Sequence, residues 1–150
     1  DAACNCSAER VRNYTGRISG PLLDRIDMQV AVSRPEPSVL RAGGQQGESS
    51  RVVGARVIAA RERQLRRAGV CNARLDDAGL SACEPCDAGL RLLDDAMTRF
   101  VMSIRAQRRL LRVARTIADL AGRTRVSVDD VAEALSLRWS VKRRPATTAP

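Results

Sequence analysis

The sequence predicts a mainly α protein: a bundle of about four helices, preceded by one helical turn and one strand from the end of an α/β unit. Three observations carry that expectation. Within residues 101–122, Ile104, Leu110, Leu111, Val113, Ala114, Ile117, Ala118 and Ala121 recur at spacings of three, four and seven, which places them on one helix face. Several further apolar runs are bracketed by a capping side chain before and a glycine after, the punctuation of helices. Only one stretch alternates as a strand does, with Met28, Val30 and Val32 set against Asp27, Gln29 and Ala31.

Composition narrows the possibilities. Aromatic residues make up 2% of the chain and hydrophobic residues 44%, so the core must be aliphatic. Tyr14, Phe100 and Trp139 are too few for a base-stacking platform. A formal charge of +9 on 150 residues favours polyanionic partners, whether nucleic acid, nucleotide phosphates or an acidic protein face. Histidine is absent, which removes the commonest general base and zinc ligand. Five cysteines without a repeated framework do not make a disulfide scaffold. No apolar run is long enough for a bilayer and no signal-peptide pattern opens the chain, so the expected setting is the cytoplasm, with no membrane partner. The opening at Asp1 and Cys4-Asn-Cys6, with no element start before it, reads as the interior of a longer protein.

In chain order, Ser7 caps a first helix ending near Gly16. Gly20-Pro21 starts a short helical turn with Leu22, Leu23 and Ile26 on its apolar side, since proline suits a first turn. Residues 33–50 are rich in Pro, Gly, Ser and Gln and read as a mobile loop. Gly43 to Ser50 lacks the Gly-Lys-Ser of a phosphate loop and no strand precedes it. Ser49 or Ser50 caps a helix from about Arg51 to Ala68, stopped at Gly69. Val53, Val57, Ile58 and Leu65 are expected to face inward, and Arg56, Arg61, Arg63, Arg66 and Arg67 outward. Gly54 weakens this helix by roughly 1 kcal/mol relative to Ala. After an irregular stretch, a helix over residues 87–100 points Leu90, Leu93, Ala96, Met97 and Phe100 inward. Ser103 caps the main helix and Gly122 stops it. Ser127-Val-Asp-Asp130 is a capping box with Asp in place of Glu, opening a last helix to Leu137. Residues 142–150 read as a disordered tail.

The main helix also carries Arg105, Arg108, Arg109, Arg112 and Arg115 on a second face. A stripe held that rigidly either meets phosphate or is a solvated basic face. Ordinary ion pairs with Asp119, Asp94 or Asp95 account for part of it more simply than contact with DNA.

These residues carry a resemblance. SGPLLDRIDMQV at 19–30 and SIRAQRRLLRVARTIADLAG at 103–122 are similar to ComM/YifB-type, magnesium-chelatase-like AAA+ ATPases. GESSRVVGARVIAARERQ at 47–64 and the Cys-x-Cys-Ser opening fit the same family. The resemblance implies a homo-oligomeric ring, hexameric by expectation, whose ATP and Mg2+ are gripped mainly by a core upstream of Asp1. On that reading residues 1–33 end the α/β core, 34–50 form a flexible loop, 51–69 an insert helix and 70–137 the C-terminal helical lid. Residues 138–150 would be the tail. Arg25 matches the family's arginine finger, although residue chemistry alone favours an ion pair with Asp24 or Asp27 at a helix end. Arg105 matches the second sensor arginine. The family implies ATP-driven remodelling or branch migration of DNA. A magnesium-chelatase motor subunit inserting metal into a porphyrin is the alternative, and a stand-alone basic helical module binding nucleic acid is a third. The isolated chain, lacking a phosphate loop, is expected not to hydrolyse ATP.

The resemblance also makes Cys4 and Cys6 half of a zinc site whose remainder lies upstream. Cys83-x-x-Cys86 has ligand-like spacing but is only half of a tetrahedron, and ordinary thiols are the simpler reading.

Overall fold

The computed structural model describes residues 5–32, 37–41 and 47–139. The expectations for Cys4, for most of the 34–50 loop and for the tail beyond Trp139 lie outside those residues. Helix α1 (Ala8–Thr15) is capped by Ser7, whose Oγ accepts from the Arg10 amide at 3.3 Å. The turn α2 (Gly20–Leu23) is capped in the same way by Ser19. A short α3 (Pro37–Arg41) is followed by the long α4 (Ser50–Ala68). Gly69, at φ 70°, stops α4 in the left-handed conformation that glycine adopts without cost. A 3-10 turn over Asn72–Arg74 and α5 (Asp77–Ser81) lead to α6 (Asp87–Phe100), α7 (Ile104–Leu120) and α8 (Val128–Trp139).

The main helix of the sequence is the centre of the bundle. Helix α7 packs on α8 and α4, and α6 packs on α8. The core is aliphatic and small: Leu93 from α6, Leu110, Ala114 and Ala118 from α7, Val126, and Val131 and Ala134 from α8. Ala114, Ala118 and Val131 are fully buried. The start of α8 follows the anticipated capping box. Asp130 Oδ2 accepts from the Ser127 amide and hydroxyl at 2.8 Å each, and Ser127 Oγ accepts from the Asp130 amide at 3.3 Å. The segment before it forms one isolated parallel bridge, between Val126 and Pro85.

Several expectations are corrected. Residues 28–32 form no strand; among the described residues the segment meets no neighbouring strand, and a ladder needs one. Its Gln29 amide instead donates to the Leu137 carbonyl at 2.7 Å, which seats the segment on the end of α8. On α4 the inward face is different from the one expected. Val53, Val57, Ile58 and Leu65 are exposed, while Ala60 and Gln64 are buried. Where α4 meets α7, Arg63 and Arg67 bond to Asp119, so an apolar count picks the wrong stripe. Phe100 and Ile104 are also largely exposed, because both lie at the corner where α6 gives way to α7.

Candidate functional site

The site is best built from what happens to the arginines of α7, because all but one are engaged within the chain. Arg115 is 1% exposed, and its guanidinium donates to Asp119 Oδ1 at 2.9 Å, to the Thr124 carbonyl at 2.9 Å and to the Arg123 carbonyl at 2.6 Å. Arg112 donates to the Leu75 carbonyl at 2.7 Å. Arg109 pairs with Asp27 at 2.9 Å and also donates to the carbonyl of Arg25. Arg108 pairs with Asp77 at 2.9 Å across the surface. Most of the stripe therefore ties α7 to its surroundings. It is neither a solvated face nor a row of free cations.

Asp119 is the hub of this network. Beside Arg115, it accepts both Nη atoms of Arg67, at 2.7 and 2.8 Å, and the Asn72 amide at 2.9 Å. Arg63 donates to its backbone carbonyl at 3.0 Å. Asn72 in turn accepts from Arg67 at 2.7 Å, donates its side-chain amide to Thr116 at 3.0 Å and donates its backbone amide to Gln64 Oε1 at 3.1 Å. Burial pushes the Asp119 carboxyl upward, but the hydrogen bonds from Arg67 and Asn72 and the nearby Arg115 charge outweigh it and hold the group below its ordinary value. The Arg115–Asp119 pair was anticipated; Asp94 and Asp95 take no part among the described residues. Arg67, Gln64 and Asn72 escaped sequence reasoning. Their one signal was the 60, 64, 67 spacing on α4, which polar residue types disguised.

Arg105 is the exception on α7. It lies in the first turn, where Ser103 Oγ accepts from the Ala106 amide at 3.2 Å. Its side chain is exposed and has no hydrogen-bond or ion-pair partner among the described residues. The first turn of a helix also presents the positive end of the macrodipole, which favours an anion there.

Arg25 stands at the end of α2, exposed, with Nη1 donating only to the Pro21 carbonyl one turn back, at 3.1 Å. Neither nearby carboxylate takes it. Asp24 is held by Arg138 at 3.2 Å, and Asp27 by Arg109. Leu23 and Asp24 on one side, and Val101, Met102, Ser103 and Ala106 on the other, line one small cleft. Arg25 follows Asp24 and Arg105 precedes Ala106 in the chain, and neither side chain itself lines the cleft. Each presents a planar fork of donors suited to phosphate oxygens.

The cysteines are placed apart from this corner. Cys6 is exposed, Cys83 buried and Cys86 half-buried at the start of α6. Among the described residues no three Cys, His, Asp or Glu side chains are grouped as a metal site, so Cys83 and Cys86 gain no further ligand there. No helix among them is long and apolar enough to cross a membrane.

Comparison with known families decides the relationship. A model of the C-terminal part of magnesium chelatase subunit ChlI matches residues 47–138, and a model of the ChlI subunit itself matches residues 1–40. The chain belongs to the magnesium chelatase ChlI family. Within that family it is of the ComM/YifB type. It is 42% identical to the uncharacterised protein YifB of Salmonella typhimurium over 89% of the chain and 26% of that protein. Against competence protein ComM of Haemophilus influenzae the identity is 36%, over 91% of the chain and 27% of the relative. An uncharacterised protein of Mycobacterium tuberculosis is 42% identical over 94% of the chain and 29% of its own length. The chain thus spans under a third of these ChlI-family relatives.

Proposed function

We propose that this chain is the lid of a ring-forming AAA+ ATPase of the ComM/YifB type, with residues 5–32 closing the nucleotide core and residues 70–137 forming the helical lid. Arg105 would hold a phosphate of ATP in its own subunit as the second sensor, and Arg25 would reach the γ-phosphate of the neighbouring subunit as the finger. The observation that supports this reading is a contrast with the arginines packed beside them, although Arg17, Arg61 and Arg91 elsewhere are likewise exposed with no carboxylate partner among the described residues. Arg108, Arg109, Arg112, Arg115 and Arg138 are all engaged internally, whereas Arg25 and Arg105 keep exposed guanidiniums with no carboxylate partner among the described residues. Each uncommitted fork suits the phosphate oxygens of a different ATP, Arg105 that of its own subunit and Arg25 that of the neighbour. Bound ATP with Mg2+ supplies the phosphoryl group whose transfer drives the motor. The chain's own part is to neutralise charge that builds on the phosphate oxygens, and a finger arginine is worth roughly 10³–10⁵ in rate in such systems. Because these groups act from two subunits, the reading includes a homo-oligomeric ring, and it takes remodelling of DNA as the work performed, consistent with a relative named as a competence protein.

The family description itself favours a second reading, a chelatase motor that drives metal insertion into a porphyrin. A third, a basic module binding nucleic acid by charge alone, is weakened by the internal use of the α7 stripe. In the complete polypeptide, Arg25→Ala should lower ATP turnover about 10³-fold while leaving ATP affinity intact. Turnover equal to wild type would discard the finger assignment. Stimulation of turnover by branched DNA, and none by a porphyrin with its metal, separates the first reading from the second.

A further inference from the structure

The segment carrying Arg25 has no ladder and no long helix to locate it. What locates it is a pair of arginines from the bundle. Arg109, on α7, uses a single nitrogen, Nη1, to reach both the Arg25 carbonyl and Asp27 Oδ1. Arg138, 7% exposed near the end of α8, brackets the same residue from the other side. Its Nη2 donates to Asp24 Oδ1 at 3.2 Å and its Nη1 to the Ile26 carbonyl at 3.4 Å. The Arg25 and Ile26 carbonyls and the Asp24 and Asp27 side chains are thus held, and the Arg25 side chain is left exposed.

Arg109 lies four residues after Arg105, one turn further along the same face of α7, a rise of about 6 Å. Resting on the finger and sensor assignments above, we propose that Arg109 is a positioning residue for Arg25, and that it ties the arginine offered to the neighbouring subunit to the helix that senses nucleotide in its own. Arg138 is the fixed second clamp. A turn of α7 imposed through Arg105 pulls on the Arg25 backbone through Arg109, with no intervening element. Misplacing a reacting group by about 1 Å is enough to cost roughly 10²-fold in rate, so the clamp is a sensitive control point.

The test uses the complete polypeptide with ATP, four variants and three readouts. Arg109→Ala should lower kcat about 10²-fold and leave the affinity for a fluorescent ATP analogue unchanged. Arg109→Lys should restore most of kcat, because one cationic nitrogen makes both contacts. Combining Arg109→Ala with Arg25→Ala should cost nothing beyond Arg25→Ala alone when residual turnover is measured at high enzyme concentration. Amide exchange should quicken over residues 24–29 and stay as in wild type over α8. Wild-type kcat in Arg109→Ala, a further multiplicative loss in the double variant, or a loss of ATP affinity that accounts for the rate would each overturn the proposal. If Arg25→Ala itself turns over normally, the finger reading fails first; a dead Arg25→Ala beside a normal Arg109→Ala overturns this inference alone.

Discussion

Asp119 shows how much one buried carboxylate can organise. It collects two guanidiniums and an amide at the end of α7, and replacing it removes the acceptor they share. Asp119→Asn is expected to destabilise the chain by about 3–5 kcal/mol, because the buried Arg115 charge is left uncompensated; urea unfolding followed by circular dichroism measures it. The same group dictates an acid limb. Asp119 and Asp130 are both held below their ordinary values, Asp130 because hydrogen bonds from Arg123 and Ser127 outweigh the burial that opposes them. A carboxyl whose folded value is depressed binds fewer protons folded than unfolded. Its contribution is complete above the unfolded value near pH 4 and is lost as pH falls further, through the folded value. Melting temperature should therefore be level between pH 5 and 7 and drop steeply below about pH 4, with a shallower drop in Asp119→Asn.

Among the elements, α4 and α6 contain glycines that ought to respond in opposite directions. A Cβ at Gly54 meets nothing within 4 Å, so Gly54→Ala should stabilise α4 by about 1 kcal/mol through helix propensity. A Cβ at Gly89 would stand 2.9 Å from Pro85 Cβ and 3.4 Å from Val131 Cγ2, so Gly89→Ala should cost about 1–3 kcal/mol by forcing α6 away from α8. Opposite shifts in denaturation midpoint for the two variants would establish both. The helices themselves were legible in the chain: Ser103, Ser127 and Gly69 mark ends that periodicity alone leaves vague, and each acts where it was expected. The face of α4 was not legible. Its contact with α7 depends on Arg63, Gln64 and Arg67, and a polar seam has no hydrophobic period to read. The strand at 28–32 was read from true alternation, but alternation states a preference for a sheet and cannot supply the neighbour.

At the scale of the whole molecule, the bundle and the loose segment before it are joined by charge. Leu23 is the most sheltered apolar residue of α2, and the junction includes Arg109, Arg138, the two aspartates and the backbone hydrogen bond from Gln29. Such a junction should weaken with salt where it is exposed, as at Asp27, and less where Arg138 is buried. The candidate arginines were found in sequence through a resemblance, while their contrast with Arg108, Arg109, Arg115 and Arg138 appears only when those neighbours are seen to be occupied. The alanine-lined seam between α7 and α8 carries one more consequence. Ala114 and Ala118 of α7 and Ala134 of α8 share one buried cluster with Leu110 and Val131, and a core packed that closely resists slippage of one helix past the other by small rearrangements. A displacement of α7 then carries α8 along with it, and the two hands that hold the Arg25 and Ile26 carbonyls, one on each rod, travel in step.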